Sequence, residues 1–388
     1  MNKIIPGAII IEGHVQGLSN TRSLGEAGIP VYVVDKTNCI ARYSRFCNKF
    51  FKCPDFLEDS FAYFLIELAE KEGLKDWVLI PSNDHAVFTI AKHKISLEKH
   101  FKVITPSLEI ISNIYDKSRL LKIAEENGIP VPLTYCIGYN ENINIPESDY
   151  PVLIKGRFGL SFFKTFKRKV FLAHNEKELR DKLRLIKAKK NDENILVQKL
   201  IRSDRLNRTI SFAAFCENGI INAYWMGIKL REHPIEFGTA TFARSIFVKE
   251  CFEQSSLLLK AINYTGVCEI EYLFDYEDLK YKLIEINART WLWVGLAKAS
   301  GVDFAKMIYN YVNGSQNIYP PKYNTELNWR NSFTDIIYTS LALIKGKISL
   351  SSILEQNKGT IVDAVSYSGD NKPFWAYLFL MSTFLFRR

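Results

Sequence analysis

Two apolar segments late in the chain, CEIEYLFD (268–275) and KYKLIEIN (280–287), each carry acidic or amide residues at alternate positions. Successive side chains on a strand point to opposite faces, so Glu285 and Asn287 emerge together on one face. The turn Tyr276-Glu277-Asp278 makes the segments antiparallel neighbours, which brings Glu271 beside that pair. Two carboxylates and an amide oxygen form a hard-oxygen set suited to Mg²⁺ bridging nucleotide phosphates. The alternative is a hairpin whose charged residues face water. Against it, acidic groups within apolar strands cost free energy to bury without a cation or a partner.

The opening of the chain has a different texture. A buried-strand run at Ala8–Ile11 is followed by Gly13 and Gly17, a helical pattern through Leu18, Leu24 and Ala27, a stop at Gly28, and a second strand at Val31–Asp35. A helix over Asp59–Glu72, a strand at Trp77–Pro81, a helix over 85–92 and a strand at 103–105 continue the alternation. Such alternation predicts a parallel sheet covered on both faces. The absence of GxGxxG after the first strand argues against a dinucleotide site. From Asp116 onward strands and helices follow one another without strict repetition, which predicts an α+β core. The fold class is therefore mixed, α/β and then α+β.

The formal charge of +9 over 388 residues is spread along the chain, and its basic runs are interrupted by apolar residues. That favours an anionic small molecule over nucleic acid as the partner. Seven cysteines without a CxxC pair predict free thiols and a cytoplasmic setting. The apolar tail from Pro373 to Phe386, with the run FWAYLFLMSTFLF, spans only about 21 Å as a helix, short of a ~30 Å hydrocarbon core. No transmembrane segment is expected. The tail is expected to pack on the protein or form a subunit contact, as in a homodimer, with membrane-surface contact as the rival reading.

These motifs resemble the ATP-grasp superfamily, specifically its carboxylate–amine ligase branch, over essentially the whole chain. GVCEIEYLFD with YKLIEINARTWLWVGLAKASGVD is similar to that branch's metal-binding signature. Asp116-Lys117-Ser118 and Gly128-Ile129-Pro130-Val131-Pro132 resemble the start of its core, 151–155 the strand with the phosphate lysine, and 197–201 the adenine hinge. Lys229-Leu230-Arg231, with Pro234 and Phe237-Gly238-Thr239, resembles a further segment of predicted ligases of the branch.

The resemblance implies ATP and Mg²⁺ (or Mn²⁺) as cofactors. Lys117 and Lys155 would contact phosphates, and Gln198, Lys199, Leu200 and Ile201 would hold adenine. Glu271, Glu285 and Asn287 would hold the metal, and Arg289, with Lys155, would act in catalysis near the transferred phosphoryl group. It further implies a pre-ATP-grasp domain over 1–111, an N-lobe over 112–194, a C-lobe with the metal site over 195–318, and an extension over 319–388. One departure is the stretch GRFGLSFFKTFKRK, where relatives carry a glycine-dense lid loop; Lys164, Lys167 or Arg168 would replace it.

The implied reaction joins a small-molecule carboxylate to an amine through an acyl phosphate. A carboxylase acting on bicarbonate is the enzyme rival, disfavoured because no biotin-carrying module follows, and a scaffold without turnover is the other. On the substrate side, Asp84 in Ser82-Asn83-Asp84-His85 could receive a cationic amine, although helix capping competes, and Arg231 could shape the pocket.

Overall fold

The computed structural model describes residues 5–138, 143–189, 195–201, 208–234 and 238–385. The first five strands are β1 (Ala8–Ile11), β2 (Val31–Asp35), β3 (Lys49–Lys52), β4 (Trp77–Pro81) and β5 (Phe101–Val103). They form one sheet in the order β3-β2-β1-β4-β5, parallel throughout. Alternation decides which face each residue serves: Ile9 and Ile11 pack with Phe61 and Leu65 on one side, while Ala8 and Ile10 pack toward the rest of the molecule on the other. A strand buried on both faces needs an unbroken apolar run, as AIII supplies. The short edge strand β3 was not expected, and β5 lies two residues earlier than its sequence suggests.

The second sheet comprises β6 (Thr134–Ile137), β7 (Val152–Gly156), β8 (Val170–Ala173) and β9 (Ile195–Lys199), in the antiparallel order β6-β9-β7-β8. The helices Gly159–Phe166 and Glu176–Ala188 supply Phe162, Leu179, Leu183 and Ile186 to its core. Because β9 hydrogen-bonds to β7, the boundary expected before residue 195 falls inside this sheet, and the small lobe runs through Lys199. The glycine-poor stretch after β7 is a helix. A Cβ on Gly156 would meet the Phe162 Cβ at 2.3 Å, so this glycine admits a core phenylalanine.

The third sheet has seven strands: β10 (Ile210–Glu217), β11 (Ile220–His233), β12 (Thr239–Ser245), β13 (Gly266–Asp275), β14 (Lys280–Asn287), β15 (Leu327–Arg330) and β16 (Thr360–Asp363). Their order is β14-β13-β10-β11-β12-β15-β16. β15 pairs with β12 and β16 with β15, so the segment after 319 contributes two further strands to this sheet. One apolar core joins the first and third sheets, with Trp225 stacked on Trp291 at 5.6 Å and edge-on to Trp293 at 5.3 Å. In the tail helix Lys372–Leu385, Pro373 and Tyr377 are buried against the protein while Trp375 stays exposed; Phe386 lies outside the described residues.

Candidate active site

The hairpin β13–β14 sets Glu271 directly opposite Glu285 and Glu269 opposite Asn287. Ser211 on β10 stands across from Glu271, so one sheet face carries a polar row. Asn287 donates to Glu269 Oε2 at 3.1 Å and accepts at Oδ1 from Arg289 at 3.3 Å. Glu269 is buried, and burial with the neighbouring charge of Glu271 pushes it up to about 8. Its other oxygen, Oε1, has no partner.

Lys117 reaches this row from the start of its helix. Asp116 caps that helix at Ser118 N and receives Arg157 through bonds of 2.9 and 2.5 Å; Lys117 N in turn donates to Arg157 O at 3.0 Å. The clamp ties the helix start to the end of β7 and so brings Lys117 near Lys155. Lys117 Nζ lies 2.7 Å from Glu285 Oε2, and its charge is the main reason Glu285 is held at about 2, against the effect of burial. Lys155 is buried, which lowers it to about 7, with Lys117 pushing the same way and Glu285 opposing.

Arg289, two residues past Asn287, is gripped by Asp84 through Nε and Nη2, both at 2.9 Å. Burial disfavours its charge, yet the Asp84 carboxylate beside it raises Arg289 above its ordinary value. Tyr115 donates to Asp84 Oδ1 at 3.2 Å. Asn83 caps the helix that Asp84 opens, accepting from Ala86 N at 2.8 Å. Asn20 donates to Thr290 at 2.9 Å and to Ser82 at 3.3 Å, linking the first domain to the loop after β14. Glu12, at the end of β1, is pushed up to about 7 by burial and by Asp35 and Asp84, against the pull of Arg289.

The hinge lies at the mouth between lobes. Gln198 is buried and donates to Thr134 Oγ1 at 2.8 Å; Lys199 reaches Glu277 at 2.6 Å and Asp149 at 3.0 Å. Lys199, Leu200 and Ile201 line a cavity of about 330 Å³ together with Leu133, Asp275 and Lys282.

Lys117, Lys155, Glu271, Glu285, Asn287 and Arg289 thus gather at the charged row, Gln198, Lys199, Leu200 and Ile201 at a second place, and Asp84 joins the row through Arg289. Asp84, expected as a receptor for an amine, accepts from Arg289 at both its oxygens. Arg231 does not join either place. It is buried with both ends of its guanidinium on Asp335, at 2.9 and 2.7 Å, and further bonds to Gln356 and Asn357. Phe237, part of its motif, lies outside the described residues.

Glu269 was not assigned to the site from the sequence, and Lys229 was noted only as part of a motif, without a place beside the carboxylates. Glu269-x-Glu271 mirrors Glu285-x-Asn287 in spacing, so the signal was present. Lys229 lies within β11, and the carboxylates of Glu271, Glu232, Glu269 and Glu285 raise it despite burial. Lys169, beyond the basic residues proposed for a lid, acts electrostatically on Glu285.

A parallel five-stranded domain, a small antiparallel lobe and a large sheet with a charged hairpin make up an ATP-grasp fold, which this chain shares with the solved structures it resembles. Residues 232–316 match the family model "Carbamoyl-phosphate synthase L chain, ATP binding domain". D-aspartate ligase of Enterococcus faecium (strain Aus0004) is 22% identical over 283 residues, covering 69% of this chain and 66% of that protein. The chain therefore spans just under two thirds of that relative's length. The biotin carboxylase–β-γ-ATP complex from Campylobacter jejuni superposes with a TM-score of 0.65 at 19% identity, covering 83% of this chain and 74% of that one. L-amino acid ligase from Bacillus licheniformis gives 0.62 at 14% identity, covering 80% and 75%.

Proposed function

We propose that the chain is an ATP-dependent carboxylate–amine ligase that works through an acyl phosphate and releases ADP and phosphate. The observation that carries the reading is the convergence of Lys117, Lys155, Glu285, Asn287 and Arg289 where the two lobes meet. Among the described residues no three His, Cys, Asp or Glu side chains cluster as a metal cage. Mg²⁺ needs no such cage, since it keeps waters and phosphate oxygens and takes only one or two carboxylates from the protein. Glu271 and Glu285, facing each other across the hairpin with Asn287 next along the row, fit that requirement and would hold it. When bound, the ion (or Mn²⁺) neutralises phosphate charge.

In this reading the nucleotide's adenine sits against 198–201, and its phosphates draw Lys117 away from Glu285 and restore the ammonium on Lys155. A substrate carboxylate oxygen attacks the γ-phosphorus and the bond to the ADP oxygen breaks. The amine nitrogen then attacks the acyl carbon, phosphate leaves, and the amine's proton passes to solvent. Arg289, fixed by Asp84, stabilises the oxyanion of the second step, so Asp84 is a positioning residue. Supporting the reading are a fold shared with ligases and the amino acids in the names of D-aspartate ligase and L-amino acid ligase.

The test is ADP release screened over carboxylate–amine pairs, led by D-aspartate and the L-amino acids, with bicarbonate among the acids. Release that requires both a carboxylate and an amine is expected, and Glu285→Gln should abolish it with circular dichroism unchanged. Release with bicarbonate alone would favour a carboxylase. Wild-type turnover in Glu285→Gln would remove the metal assignment.

A further inference from the structure

The helix Ser332–Ile344 is built inside out. Its inward face carries the Asp335 carboxylate that grips Arg231 and accepts from Thr241 at 2.9 Å. Its outward face carries Ile336 (58% exposed), Leu341 (46%) and Ile344 (81%). A helix on a water-facing surface shows the reverse arrangement. The following helix, Leu350–Gln356, adds Leu354 at 62% exposure. The tail helix Lys372–Leu385 adjoins the first through Phe333 and Tyr377, whose rings lie 5.9 Å apart, and through the Asn331–Tyr377 bond of 2.9 Å. It adds Trp375, 67% exposed.

The tail sequence is apolar all round, which by itself argues against lying flat on a membrane. The fold removes that objection, since Pro373 and Tyr377 turn into the protein and leave an outer face. The charges around this surface are one-sided. Lys345, Lys347, Lys358 and Lys372 are exposed, and Glu355 is the one exposed carboxylate among the described residues of 331–385.

Apolar surface of this kind marks a docking site. A two-fold copy of the chain would bring like charges together, because a self-complementary contact meets its own patch. The core of a protein interface is depleted of lysine, whereas Lys345 and Lys347 stand exposed directly after Ile344 here. An anionic bilayer asks only for cations at the headgroups, aliphatic groups at the acyl boundary and an aromatic ring between. No helix among the described residues is long and apolar enough to cross a membrane. We propose that this C-terminal helical face rests on an anionic phospholipid surface, in the plane of the interface.

The test is flotation of the full chain with vesicles of phosphatidylcholine mixed with phosphatidylserine, compared with pure phosphatidylcholine. Binding to the mixed vesicles and weak binding to the neutral ones are expected. Lys345→Gln with Lys347→Gln should lower partitioning about 25-fold, at about fivefold per lysine. Leu341→Ser with Ile344→Ser should lower it about tenfold or more. All four positions are exposed, so the melting temperature should hold in both variants. Absence of vesicle binding, or binding indifferent to both variants, overturns the proposal. So does a dimer in light scattering that the Leu341→Ser, Ile344→Ser variant splits, which would make a second copy the occupant.

Discussion

The small lobe and the block around it are held by different forces. The first and third sheets share one apolar core that includes four tryptophans, whereas the small lobe has a separate core around Phe162 and Val197. Where the small lobe meets its neighbours, ion pairs join the two sides: Arg157 with Asp116 on one side, Lys199 with Glu277 on the other. Apolar packing is dense and resists sliding, while partly exposed ion pairs contribute little and reform easily. The difference identifies the small lobe as the part that can swing, with Lys155 and the hinge travelling on it and the Glu271–Glu285–Asn287 row staying fixed.

Truncating the small-lobe core should separate the two regions most sharply. Phe162→Ala removes a fully buried ring that contacts Phe166 at 4.7 Å and Phe171 at 5.9 Å. A loss of about 3–5 kcal/mol is expected. Hydrogen exchange should rise across the small-lobe strands while β1 and β10 keep their protection. A uniform rise through all three sheets would break the distinction.

Arg289→Ala tests the fixed side. Turnover should fall about 100-fold while nucleotide affinity stays within a few-fold, as for loss of an oxyanion-stabilising group. Collapse of ATP binding by calorimetry would instead make Arg289 a ground-state nucleotide ligand.

Lys155 links the moving lobe to pH. Its ordinary value of 10.5 drops to about 7 in the fold, so between these limits the free protein holds it largely neutral and the unfolded chain holds it protonated. Stability should therefore climb with pH across that window. A phosphate beside it favours the ammonium, so ATP affinity should fall as pH rises through the same window. Calorimetry at about pH 8 in buffers of different ionisation enthalpy should show proton uptake on nucleotide binding, and Lys155→Arg should remove it. Uptake persisting in the arginine variant would assign it to another group.

The smallest effect is expected at the seam. Glu277→Gln weakens a pair whose side chains are 20% and 36% exposed, so stability should change by only about 0.2–1 kcal/mol. A loss of several kcal/mol in thermal unfolding would mean that the seam contributes to the fold as a core does.

How much of this was legible in the sequence follows from the range of each interaction. The run AIII, the hairpin 266–287 and the Asp116–Lys117–Ser118 helix start are local patterns, and the fold keeps them. The edge strand KFFK is four residues long, with nothing in its pattern to distinguish it from a loop. Asp84 and Arg289 are 205 residues apart, and Arg231 and Asp335 104 apart. The motif after β14 pointed Arg289 to the charged row, but no local pattern indicates that Asp84 holds it there or that Arg231 anchors a helix through Asp335. A helix forms at Gly159–Phe166 because Phe162 completes the small-lobe core, a demand set by strands on either side of it.

The central claim is that phosphate is transferred to a carboxylate before the amine attacks. With an active pair in hand, the carboxylate is labelled with oxygen-18 and the released phosphate is analysed by mass spectrometry. The account predicts one labelled oxygen in the phosphate and ADP as the nucleotide product. Unlabelled phosphate, or label appearing in AMP, would contradict it.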